Sequence, residues 1–292
     1  MFDSMAQALA VAAEKNVTLG ELALQQEAER GTRSRAEIEA SLARALEVMR
    51  QARTRGLVGD VRSVSGLVGG AARQLADGRK GVLHDTVFTQ ALAGALAIQE
   101  INAAMGVIVA APTAGAAGVL PGVLLAVGDR LQATDAQLVR ALAAAGLVGG
   151  VIAQRATLSG AEGGCQAETG AAAAMAAGAG VELLGGTPEQ FCQAVALSMQ
   201  GTLGLVCDPI GGLVEVPCVF RNATASAIAL AGIEMAMAGV QIPIPVDEIF
   251  DAMGEIGRTM DVRYRETAGG GLAATPTGRR LARGRLGPVR GS

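Results

Sequence analysis

Aromatic side chains are nearly missing from this chain of 292 residues, which has five Phe, one Tyr and no Trp. A core without rings must be filled by Ala, Val, Leu and Gly, and small side chains of that kind favour tightly packed helices. The same scarcity leaves no aromatic motif for stacking RNA bases, and a formal net charge of −3 gives no overall attraction to nucleic acid. Histidine is reduced to His84, in GVLHDTV, and neither HExxH nor GxSxG occurs. A histidine-assisted hydrolase would rest on that one side chain, which reads more simply as a surface or capping residue. Lysine is confined to Lys15, in a surface-helix pattern, and Lys80, in the polar turn DGRKG, and neither suits a buried pyridoxal phosphate. The opening MFDSMAQALAVAAEKN lacks the charged and then apolar order of a secretory leader. With only four cysteines, this predicts a cytoplasmic protein whose thiols stay reduced and free for metal.

What the chain does have is apolar length. Ile101 to Gly128 carries no charge, a run longer than the ~20 residues that span a bilayer. Pro112, Pro121 and repeated glycines break it, and no Trp or Tyr anchors flank it, so the run reads as two buried helices joined by a turn, with no membrane insertion. Helix signals recur elsewhere. Ser34 and Glu37 have capping-box spacing ahead of Ile38, Leu42, Leu46 and Met49 on one face of a helix over residues 34–54. Thr134 with Gln137, and Thr187-Pro188 with Gln190, repeat the same chemistry, and residues 246–260 alternate at helical spacing. Strand patterns are scarce. The fold class expected is mainly α, a single helical domain over residues 1–278 followed by a flexible basic tail, 279–292, rich in arginine.

Three of the cysteines lie in turn-like sequences: Cys165 in EGGCQAETG, Cys207 in VCDPIGG and Cys218 in VEVPC. Their spacing is too wide for the Cys-x-x-Cys loops of zinc knuckles or ferredoxins, so spacing alone assigns no metal; zinc, copper(I) and iron-sulfur clusters all accept thiolates. Buried cysteines acting as small hydrophobes are the competing reading. The stretch APTAGAAGVLPG, residues 111–122, places glycines at a turn leading into a helix. Its N–H groups could hold a carboxylate, or its small residues could serve close packing.

Taken together, MGVIVAAPTAGAAGVLPG, SGAEGGCQAETGAAAAM, GLVCDPIGGLVEVPCVFRNA and ETAGGGLAATPTG resemble the α chain of the iron-sulfur L-serine dehydratases, from the N-terminus to about Gly278. The resemblance implies a 4Fe-4S cluster on Cys165, Cys207 and Cys218, with one iron left open to act on L-serine as a Lewis acid. It implies pyruvate and ammonia as products. For the substrate carboxylate it points to Thr113, Ala114 and Gly115, with Arg221 of CVFRN as a second partner or, alternatively, a structural ion pair. Cys192, in EQFCQAV, falls outside the motifs and reads as packing; were it a fourth ligand, the chain would be a non-catalytic metal-binding scaffold. The family often carries a Ser-His motif in a separate β domain. Its absence here leaves the general base unassigned and implies a β chain as partner. No cysteine follows Cys218, so the tail cannot cap the open iron.

Overall fold

The capping boxes read from the sequence are present as hydrogen-bonded pairs in the computed structural model, which describes residues 2–31, 33–78 and 81–286. The first three helices are α1 (Met5–Lys15), α2 (Leu19–Arg30) and α3 (Arg35–Val58), and Ser34 and Glu37 cap the third reciprocally. A loop leads to α4 (Ala71–Asp77) and α5 (Val87–Ala103). The long uncharged run is divided among the end of α5, a short 3-10 turn at Ala114–Ala116 and α6 (Val119–Leu131). Beyond it come α7 (Asp135–Arg155), the single turn α8 (Gly160–Gly163), a π-helical turn at Gln166–Gly170, and α9 (Ala171–Leu184). The chain closes with α10 (Pro188–Gln200), α11 (Cys218–Met237), α12 (Val246–Thr259) and α13 (Pro276–Leu286). No strand occurs among the described residues, only an isolated parallel bridge between Cys207 and Arg265.

Helix α9 is the centre of the core, packed by α6, α7, α10 and α11. Its residues 171–174 are all alanines with no exposed surface, so neighbouring backbones approach it from every side. A second hub is α5, against which α3, α4, α6 and α11 pack. Where α3 crosses it, a Cβ added to Gly56 would lie 2.3 Å from the Ala97 carbonyl oxygen. Backbone cannot yield there as a flexible side chain can. Gly56→Ala is therefore expected to destabilise the fold by about 1–3 kcal/mol, read as a lower urea midpoint at unchanged slope.

Two segments are apolar enough to cross a membrane by length and composition, Ala114–Leu131 and Asp135–Arg155, but most of each is buried inside the fold. Their apolar faces are used for packing. Buried carboxylates do work that sequence spacing does not reveal. Asp247, on α12, accepts the N–H groups of Met5 and Ala6 at 2.8 and 3.0 Å and caps α1. Glu182, on α9, takes the Thr18 hydroxyl at 2.6 Å and the Gly20 N–H at 3.2 Å at the start of α2.

Glu100, on α5, has no exposed surface and accepts the Ala71 N–H at 2.7 Å. Burial pushes its carboxyl above the usual glutamate range, so the folded chain holds the proton more tightly than the unfolded one. Stability should then fall as pH rises from the ordinary glutamate value through the raised one, and Glu100→Gln should remove that part of the decline. Urea midpoints of both proteins between about pH 5 and 8 check the sign.

The boundary drawn between Gly278 and Arg279 falls inside α13. Proline occupies the first position of that helix, the Thr275 hydroxyl accepts the Gly278 N–H at 3.0 Å, and the helix packs on the turn Ile210–Gly212. The basic residues Arg279, Arg280 and Arg283 thus belong to a packed helix, while Arg290 and Lys80 lie outside the described residues.

Candidate active site

Each of the three cysteines from the turn motifs is fixed by a different element. Cys165 follows α8 and opens the π-helical turn into α9; it is preceded by Gly164, whose φ of +76° and close approach to the Leu205 carbonyl favour glycine. Cys207 lies in the extended link between α10 and α11, its N–H donated to Tyr264 O at 2.8 Å and its carbonyl accepting the Glu266 N–H at 2.9 Å. Cys218 is the first residue of α11, where helix N–H groups favour a negatively charged sulfur. The C-terminal motif secures this arrangement. Gly271 has a φ of +55°, and the Leu272 N–H beside it reaches Asp208 Oδ2 at 2.6 Å.

Cys165 and Cys207 are buried and Cys218 is half-buried. Burial raises all three thiols, Cys218 to about 12, and the sulfurs raise one another further: Cys165 acts on both Cys207 and Cys218. They form one electrostatic cluster. Yet among the described residues no group of three His, Cys, Asp or Glu side chains is close enough to hold a single metal ion. Three thiols without a histidine are a soft donor set, of the kind that zinc, copper(I) and iron-sulfur clusters accept. Cys192 is elsewhere. It is buried in the main apolar core, where its thiol is raised by burial and then by Asp247 and Glu189.

The turn Thr113–Gly115 faces the π-helical turn. Its carbonyls are fully held: Ala114 O accepts Gln99 Nε2 at 3.0 Å and Asn102 Nδ2 at 2.9 Å, and Gly115 O accepts Asn222 Nδ2 at 2.8 Å. Buried Asn222 also donates to Cys218 O at 2.8 Å and accepts the Gly118 N–H at 2.9 Å, which ties this turn to the start of α11. The N–H groups of Ala114 and Gly115 have no protein acceptor among the described residues.

Arg221 is placed beside the thiols and is occupied. Its Nη1 donates to Val206 O at 2.8 Å and lies 2.7 Å from Asp208 Oδ1, whose side chain is 2% exposed. That oxygen has no aligned hydrogen-bond donor, so the contact is charge against charge. The guanidinium also sits close enough to Cys165 and Cys218 to favour their ionised forms.

Glu168 lies within CQAETG, where its spacing alone assigns it no role. In the structure it joins the two halves of the site. Its Oε1 accepts the Thr113 hydroxyl at 2.6 Å, and its Oε2 faces the Cys207 sulfur at 3.8 Å. Burial pushes its carboxyl up, and the Thr113 hydroxyl opposes that shift. The available signal was an acidic residue one helical turn after a cysteine in a glycine-bounded segment. His84, by contrast, pairs with Asp85 at 2.9 Å in the loop before α5, beside Arg53 and Asp129.

A family model described as "Serine dehydratase alpha chain" matches residues 14–273. The chain is 47% identical over 294 residues to a probable L-serine dehydratase, alpha chain, of Bacillus subtilis (strain 168), covering 100% of this chain and 98% of that protein. It is 39% identical over 286 residues to the L-serine dehydratase, alpha chain, of Peptoniphilus asaccharolyticus, with 97% and 98% covered. With the L-serine dehydratase of Streptomyces coelicolor it shares 41% over 273 residues, covering 91% of this chain but 59% of the longer relative.

Proposed function

Because the chain belongs to the serine dehydratase alpha-chain family, we propose that it converts L-serine to pyruvate and ammonia in the cytoplasm, using a 4Fe-4S cluster on Cys165, Cys207 and Cys218 and a separate β chain. The observation that carries this reading is that three cysteines from distant turns, two buried and one half-buried, lie close enough to raise one another's thiols, with no histidine among them. Relatives named alpha chain are matched along nearly their whole length, and a longer relative without that name has further sequence, which supports a partner chain here.

The donor set fits the cluster. Three sulfurs would satisfy three irons, and when bound the group would supply a Lewis acid for the departing β-hydroxyl. The chain's own residues then divide the remaining tasks. The free N–H groups of Ala114 and Gly115 receive the substrate carboxylate, held at fixed height by Gln99, Asn102 and Asn222 beneath them. Arg221 neutralises Asp208 and so keeps the Cys207 loop closed against the segment 264–272. Helix α11 directs its N-terminus at Cys218.

Loss of the α-proton and the β-hydroxyl as water leaves aminoacrylate. Its imine tautomer takes up one water and divides into pyruvate and ammonia, so atoms balance over the cycle. The described residues of the site offer no histidine as the base, consistent with a base on the β chain. The scaffold reading would need Cys192 as a fourth ligand, and its place in the apolar core speaks against that. A pyruvate assay with L-serine under anaerobic conditions tests the proposal: activity is expected from the α and β chains together, and an iron-free complex with full activity would refute it.

A further inference from the structure

We propose that Glu168 receives the α-ammonium group of the amino-acid substrate, so that this carboxylate selects amino acids over acids without the amine. The assignment rests on the lyase reading above and deepens it. An amino acid carries its ammonium and carboxylate on one carbon, so the receptor for one must adjoin the receptor for the other. Glu168 meets that condition. A Cβ built on Gly115 would lie 2.8 Å from Glu168 Oε1, which places the carboxylate directly against the turn whose Ala114 and Gly115 N–H groups are free.

Apart from Glu266, which is exposed at the surface, the other acidic groups that face this end of the molecule have donors of their own. Asp208 is held by Arg221 and the Leu272 N–H, and Glu215 by the hydroxyls of Ser63 and Ser65 together with the Ser65 N–H. Glu100 caps α4. Glu168 spends one oxygen on the Thr113 hydroxyl while its second oxygen faces sulfur, at 3.8 Å from Cys207. A metal-bound sulfur has no proton to donate, which leaves Oε2 without a donor from this site and open to a cation.

The carboxylate is also aimed. Gly160 leaves it room, since a Cβ there would stand 2.4 Å from Oε2, and the π-helical turn under it is a local distortion of the kind found at functional sites. The residue is half-buried, so an ammonium docked on it would be partly removed from water, where a charge-assisted hydrogen bond counts most.

The test uses the anaerobic α–β complex and two ligands that cannot lose a hydroxyl, L-alanine and propanoate, which differ only in the amine. Isothermal titration should show the wild type preferring L-alanine by about 10- to 100-fold, and Glu168→Gln should reduce that ratio to about one while iron content stays the same. The KM for L-serine should rise by a similar factor, with kcat changed less. If Glu168 only props the Thr113 turn, both ligands weaken together and the ratio survives, which would overturn the assignment. Should E168Q fail to fold, Glu168→Asp serves instead: it keeps the charge but retracts it, and a reduced preference for L-alanine supports the proposal where an unchanged one refutes it. A wild type that lacks iron and does not act on serine would sink the lyase reading and this assignment with it. An active wild type with an unaltered ratio in E168Q removes the ammonium assignment alone.

Discussion

Single replacement of Cys165, Cys207 or Cys218 by serine is expected to abolish L-serine turnover by at least about 1,000-fold, the scale of several kcal/mol that a Lewis acid contributes at a poor leaving group. The loss should come with iron. Each variant, purified without air alongside its β chain, should hold far less iron and sulfide than the wild type, because a hard hydroxyl replaces one of only three soft donors. Cys192→Ser supplies the contrast. Its thiol packs in the apolar core among α10 and its neighbours, so this variant should keep its iron and its activity and lose only some stability. If all four substitutions removed iron equally, the scaffold reading with four protein ligands would replace the open-cluster one.

The second large effect concerns Arg221. Its partner Asp208 is 2% exposed, and removing one member of a buried ion pair leaves an uncompensated charge, at a cost of about 3–5 kcal/mol. Arg221→Ala should therefore lower the urea midpoint sharply, and it should loosen the Cys207 loop enough to impair iron retention. A direct substrate contact predicts otherwise. Were Arg221 chiefly a carboxylate receptor, the variant would fold with nearly wild-type stability and keep its iron, and only its KM for L-serine would climb. Denaturation, iron analysis and kinetics on one preparation separate the two roles, and the occupied geometry of Nη1 favours the structural one.

Much of the helical frame was legible because it is written locally. The capping boxes at Ser34, Thr134 and Thr187 satisfy backbone N–H groups within three residues of the cap, so sequence spacing and structure carry the same information. Helix α9 was less distinct, since a run of alanines buried on every side has no polar face to reveal a period. The helix at Pro276–Leu286 was missed for a related reason: its arginine-rich composition resembles a solvated terminus, and its stability comes from packing on the Ile210–Gly212 turn.

At the site, the three cysteines and the Thr113–Gly115 turn stood out by their flanking glycines and prolines, but their meeting did not. It depends on the π-helical turn, on Asn222 linking Gly115 to Cys218, and on the segment 264–272 folding back over Cys207. Long-range partners of this kind leave no periodic trace. Glu168 was invisible for the same reason, its contacts being to Thr113 and Cys207 across the fold.

The proposed chemistry requires one iron without a protein ligand, available to the substrate hydroxyl. Mössbauer spectroscopy of the iron-57-enriched complex, prepared without air, addresses it most directly. The expected spectrum is that of about four irons in which one subsite differs from the rest and shifts when L-serine is added. A spectrum in which every iron carries the same set of protein ligands, and L-serine changes none of them, would contradict it.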